Sequence, residues 1–206
     1  MHIATKSLIS VTILDHLRYI LRSLPSISVL NETLLCLLNM TNALSSVCTL
    51  LVRNDFVPFL LIYSLNEDSN VVLTSLRILG NITSCSIEYC TYLLQLGYLE
   101  SLFSFASKNT QPLIIFDEFC WVLSNLSASP LTPAYANAIC DVCLSLLKYP
   151  NTSIACSSQA ALALCLLSLQ PMECTSLISL PSLSALFDLL QFASSFFIIS
   201  PSPLTF

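Results

Sequence analysis

Two short segments of this chain carry the same pair of positions at the same spacing. Arg77-Ile78-Leu79-Gly80-Asn81 and Trp121-Val122-Leu123-Ser124-Asn125 each place an Asn four residues after a large anchor, and the anchors stand 44 residues apart. Leu35 and Asn39 give the pattern 42 residues before Arg77. Leu162 and Leu166 continue it 41 residues after Trp121, with the Asn lost. Residues i and i+4 share one helical face, so a repeated anchor-plus-Asn forms a ladder along one surface. The chemistry open to such a ladder is hydrogen-bonded recognition, since an amide both donates and accepts. Catalytic arrangements are missing: there is no Ser/His/Asp set, HExxH helix, phosphate-binding Gly loop or nucleophile elbow. Both histidines, His2 and His16, lie near the N-terminus and read as solvent or packing residues. No enzyme and no cofactor are expected.

The cysteines could do chemistry of another kind. There are ten in 206 residues. Most sit inside apolar runs, where Cys behaves as a small hydrophobe. Cys140-Asp141-Val142-Cys143 is a CxxC, yet no second pair lies at zinc spacing and no βαβ pattern surrounds it, so core packing is expected rather than a metal. Sequons start at Asn31, Asn39, Asn81, Asn125 and Asn151. Three of them coincide with the ladder, which explains them without secretion. A reduced, intracellular chain is expected.

Composition narrows the partners. Seven Lys and Arg against twelve Asp and Glu give a net charge of −5, which argues against nucleic acid and suits basic ligands. The chain is 55% hydrophobic and 9% charged, with a mean hydropathy of +0.79, so a membrane protein has to be weighed. Charge-free windows at Thr33–Val52, Phe119–Cys140 and Tyr149–Met172 approach the roughly 20 residues of a span. Each contains polar or helix-breaking residues, such as Asn39 and Asn42, Pro130 and Pro133, or Pro150 and Asn151, and none has a flanking Lys/Arg cluster. Membrane insertion is therefore not expected, and the N-terminus makes a poor signal peptide.

Apolar residues recur at i, i+3, i+4 and i+7 almost throughout. The pattern predicts helices over 11–23, 28–41, 43–53, 56–66, 70–84, 87–96, 98–107, 112–127, 133–148, 152–169, 172–178 and 182–193. Asn66-Glu67-Asp68-Ser69 and Ser107-Lys108-Asn109-Thr110 are capping clusters ahead of long helices. Pro112 suits a first helical turn. Pro130 and Pro133 force a break. Gly97 stands where a helix end needs a left-handed residue, and Asp55 stands at the matching place one unit earlier. Three helices in about 42 residues is the armadillo proportion. The expected fold is an all-α, armadillo-type, right-handed α-solenoid of four to five three-helix repeats. Its single domain covers 1–200, with repeats near 1–41, 42–84, 85–128, 129–169 and 170–200, and a tail at 201–206.

Three stretches carry a family resemblance. Val52-Arg53-Asn54-Asp55-Phe56-Val57-Pro58-Phe59-Leu60, Ser75-Leu76-Arg77-Ile78-Leu79-Gly80-Asn81-Ile82-Thr83 and Glu118-Phe119-Cys120-Trp121-Val122-Leu123-Ser124-Asn125-Leu126 resemble consecutive armadillo repeats of the importin-alpha family. The order of Arg, then Trp, matches the C-terminal half of that family's repeat array, and the likeness covers about 32–128. The resemblance implies an adaptor for nuclear import, working in cytoplasm and nucleus, that binds extended Lys/Arg-rich nuclear localisation peptides in a concave groove lined by the third helices. It implies peptide-binding roles for Asn39, Arg77, Asn81, Thr83, Glu118, Trp121, Ser124 and Asn125. In such a role the Asn amides meet the peptide backbone. The Trp face carries the aliphatic stem and cation of a Lys or Arg. Glu118, one turn before Trp121, reads the charged tip.

Departures from the family pattern weaken the groove. Leu35 stands for an aromatic wall, Leu162 and Leu166 for a Trp and an Asn, and Gln159 for the acid. Binding weaker than that of a full receptor is expected. Importin-beta is the further partner that the resemblance implies, although Met1–Leu24 holds only Lys6, Arg18 and Arg22 of the basic segment that would bind it. Plainer readings stand beside these. Trp121 can be core, the asparagines can be ordinary helix-surface residues, Arg77 can pair with a carboxylate across a repeat boundary, and Glu118 can be a surface acid. The alternative function is a generic armadillo scaffold for some other extended segment.

Overall fold

A computed structural model describes residues 2–106, 113–148 and 152–170, and contains no strand among them. The described helices, in chain order, are α1 (His2–Arg22), α2 (Ile27–Ala43), α3 (Ser45–Arg53), α4 (Val57–Tyr63), α5 (Ser69–Cys85), α6 (Ile87–Gln95), α7 (Tyr98–Ala106), α8 (Leu113–Ser127), α9 (Pro133–Lys148) and α10 (Ile154–Ser168). The protein is all-α, as the 3.6-residue periodicity requires. One boundary differs clearly from expectation. α1 starts at His2 rather than near residue 11, because nothing before Pro25 in this stretch is a Gly or Pro that would stop a helix. The helices expected at 172–178 and 182–193, the Ser107–Thr110 cap and Pro112 lie outside the described residues.

The breaks between helices recur. Leu44 alone separates α2 from α3 in extended conformation (φ −148, ψ 114), and Ser86 does the same between α5 and α6 (φ −163, ψ 139). Asp55 (φ 55) and Gly97 (φ 74) both take the left-handed conformation expected of them. At Asp55 the turn is a full Schellman closure: Phe56 N–H donates to Leu51 O at 3.0 Å and Asp55 N–H to Val52 O at 3.4 Å. Phe56 and Leu51, the two ends of that closure, are both buried. Asp68 caps α5 as the sequence expects, accepting from Asn70 N–H at 2.9 Å and Val71 N–H at 3.1 Å. Asn66 in turn accepts from Asp68 N–H at 2.9 Å.

Four long helices stack in sequence. α5 packs on α2 on one side and α8 on the other, and α8 packs on α10. The shorter α3, α4 and α6 also lie against α5, and α9 lies against α8 and α10. α5 buries Val71, Val72, Leu76, Ile78, Leu79 and Ile82, residues that share one broad face close to half its circumference. So broad an apolar face suits a helix that several neighbours cover. Long-range side-chain hydrogen bonds join residues 35 to 45 positions apart. Tyr63 Oη donates to Leu21 O at 2.8 Å across 42 residues, and Tyr89 Oη to Thr49 Oγ1 at 2.8 Å across 40.

No single described helix is long and apolar enough to cross a membrane. The pair Ser45–Arg53 and Val57–Tyr63 passes on length and composition together but is bent by 96°.

Candidate functional site

The ladder residues lie on the stacked helices. Asn39 is on α2, Arg77, Asn81 and Thr83 on α5, and Glu118, Trp121, Ser124 and Asn125 on α8. The periodic positions thus fall on successive long helices, each packed on the last.

The asparagines are committed in an unforeseen way. Asn81 Nδ2 donates to Thr41 Oγ1 at 2.9 Å and to Asn42 Oδ1 at 2.8 Å, both at the end of α2. Asn125 Nδ2 donates to Thr83 Oγ1 and to Gly80 O, each at 3.2 Å, near the end of α5. Both hydrogens of each amide therefore staple one helix to the one before it. The receiving threonines are buried and give their own hydrogens back to their helices: Thr41 to Leu38 O at 2.9 Å and Thr83 to Gly80 O at 3.0 Å. Among the described residues neither amide oxygen has a partner. What each rung offers a ligand is an acceptor. The signal for this lay in the sequons. Thr41 and Thr83 each stand two residues after a ladder Asn, and each receives the next Asn in the chain. Asn39 is exposed.

Arg77 and Glu118 form an ion pair between α5 and α8, with Nε donating to Oε1 at 2.8 Å. This is the cross-boundary pairing that the sequence left open. The side chains are 38% and 17% exposed, so the pair contributes little by itself, of the order of 0–1 kcal/mol. The geometry matters more than the energy. Arg77 spends only its inner nitrogen on Glu118, and its two Nη groups have no partner among the described residues.

Trp121 is neither a free wall nor a sealed core residue. It is half-buried, and its ring lies on α5 at Gly80. A Cβ at residue 80 would stand 2.3 Å from Trp121 Cζ3 and 2.6 Å from Cε3, distances that no side chain tolerates. Gly80 is thus the seat of the ring, a role that sequence reasoning did not assign to it. Ser124 Oγ lies 2.7 Å from Gln159 Oε1 on α10 and 2.9 Å from Trp121 O, two acceptors that compete for its one hydrogen. Gln159 occupies the place where the family pattern has an acid. Leu35 and Leu162, at the ends of the ladder, are 45% and 48% exposed. Among the described residues no group of His, Cys, Asp and Glu could hold a metal ion.

No family model matches the chain, and no curated protein matches it. Solved structures do resemble it. A crystal structure of an engineered protein from the Northeast Structural Genomics Consortium superposes with a TM-score of 0.64 at 20% identity, over 91% of this chain and 73% of the other. A second engineered protein from the same consortium gives 0.65 at 22% identity, over 90% of this chain and 43% of its own length. At such identity these likenesses speak to the all-helical fold alone.

Proposed function

We propose that the face running over α2, α5, α8 and α10 is the ligand-bearing surface of an armadillo-type right-handed solenoid of four to five repeats. On this reading it binds extended Lys/Arg-rich segments as a divergent, importin-alpha-like adaptor in nuclear import, between cytoplasm and nucleus. The protein acts by binding and not by catalysis. One observation carries the reading: Asn81 and Asn125, on neighbouring long helices, each donate to the Thr that stands two residues after the preceding ladder Asn, and neither amide oxygen has a partner among the described residues. An extended peptide presents N–H groups to such acceptors, each bond contributing about 0.5–1.5 kcal/mol net. The half-buried ring of Trp121 lies next to one rung, where a Lys or Arg stem would gain cation–π attraction of about 0.5–2 kcal/mol. The recurring breaks at Leu44 and Ser86, and at Asp55 and Gly97, support the repeat architecture, as do the hydrogen bonds spanning 35 to 45 residues.

One observation favours the second reading, a generic scaffold for an extended segment of another composition. Arg77 already sits on Glu118, so a ligand cation there must share the carboxylate, while the unpartnered Nη groups of Arg77 favour an acceptor. Calorimetric titration separates the two. The adaptor reading expects saturable heat with a Lys-rich nuclear-localisation peptide, weakening as salt rises, and none with an acidic peptide of equal length. Equal affinity for both peptides, or a preference for the acidic one, supports the scaffold instead.

A further inference from the structure

We infer that Cys120 and Cys156 form a modification site: a buried thiol pair that a peroxide converts into a disulfide fastening α8 to α10. The two sulfurs stand 2.9 Å apart, and both side chains are buried. A disulfide needs about 2.0 Å, so the sulfurs have to close by less than about 1 Å. They sit in a seam that holds the two helices in register. One turn before Cys120, Asp117 accepts from Ser153 Oγ. One turn after it, Ser124 bonds Gln159 at 2.7 Å. Ser153 also caps α10, its Oγ accepting from Cys156 N–H at 2.9 Å, which fixes the backbone at the second cysteine. The thiols are thus bracketed by inter-helix hydrogen bonds on both sides.

The chemistry balances with one equivalent of hydrogen peroxide. One sulfur attacks a peroxide oxygen, the O–O bond breaks, and the products are a sulfenic acid and water. The second sulfur then attacks the sulfenic sulfur, the S–S bond forms, the S–O bond breaks, and a second water leaves carrying the remaining proton. The hydrogen bond with Cys156 and burial push the Cys120 thiol far above its ordinary range. The pair is therefore unreactive while closed, and the rate is set by local opening of the seam. Once formed, the bond fixes the helix that carries Trp121, Ser124 and Asn125 against its neighbour. The inference does not depend on which ligand that face binds.

The test oxidises the native full chain with hydrogen peroxide, confirms by circular dichroism that it stays helical, and alkylates free thiols in denaturant without reductant. Peptide mapping by mass spectrometry then reads the cysteines. The expected result is a Cys120–Cys156 linked peptide, with both residues escaping alkylation and a higher Tm that reductant reverses. Cys156→Ala and Cys120→Ala should each abolish the linked peptide and the Tm shift. Recovery of Cys120 and Cys156 as separately alkylated or sulfinic peptides from helical protein overturns the inference. So does linkage of either one to Cys140 or Cys143.

Discussion

At the residue scale, the Gly80–Trp121 contact is the sharpest feature. In an ordinary helix interior Gly→Ala stabilises by about 0.5–1 kcal/mol. Here the added Cβ would meet rigid ring atoms at 2.3 to 2.9 Å, and overpacking of this kind costs about 1–3 kcal/mol. The clash should win. Gly80→Ala is predicted to destabilise by roughly 1–2 kcal/mol in urea unfolding and to shift Trp121 emission, as the ring is forced off its seat. A stabilised variant with unchanged emission would show that the ring does not rest there. The spacing of Arg77, Asn81, Trp121 and Asn125 made the shared face legible. It did not reveal the direction of the amide hydrogens, because i and i+4 fix a face but not which neighbour a short side chain leans toward. The Asn-x-Thr pattern held that information, since a buried Thr hydroxyl that gives its hydrogen to its own helix keeps lone pairs for the next one.

At the element scale, capping and turn chemistry were the most readable part. Asp55 and Gly97 take positive φ for a reason visible in the chain: a helix ends there and the next begins within a few residues. Asp68 caps the helix that carries Arg77 and Asn81, accepting from two backbone N–H groups. Asp68→Ala is therefore predicted to cost about 1 kcal/mol of stability while leaving ligand affinity unchanged, as checked by urea unfolding and calorimetry. An equal loss of affinity would mean that α5 is positioned by its cap and not by α2 and α8. The start of α1 is not legible in the sequence because hydrophobic periodicity is weak before residue 11, although nothing there breaks a helix.

At the scale of the whole molecule, stacking decides where stability resides. α5 and α8 each have a long helix on both sides, whereas α1 has none beyond α2 among the described residues. In stacked architectures each element depends on its nearest neighbours. Native-state hydrogen exchange is predicted to be slowest in α5 and α8 and to quicken toward α1, with gradual loss from the ends; uniform protection would mean one global cooperative unit instead. The four-helix stack was foreseeable from a period near 42. A carboxylate partner for Arg77 across a repeat boundary was open in the sequence, but not which one, because Arg77 and Glu118 lie 41 residues apart and only the packing of α5 on α8 joins them.

The central claim is that this face binds basic extended segments, and the chain's one tryptophan reports on it directly. Trp121 fluorescence would be followed while the purified protein is titrated with a Lys-rich nuclear-localisation peptide, then with an acidic peptide of equal length. The account predicts a saturable change with the basic peptide alone, weakening as salt rises. No change with either peptide, from protein that circular dichroism shows to be helical, would contradict it and leave Trp121 as a packing residue seated on Gly80.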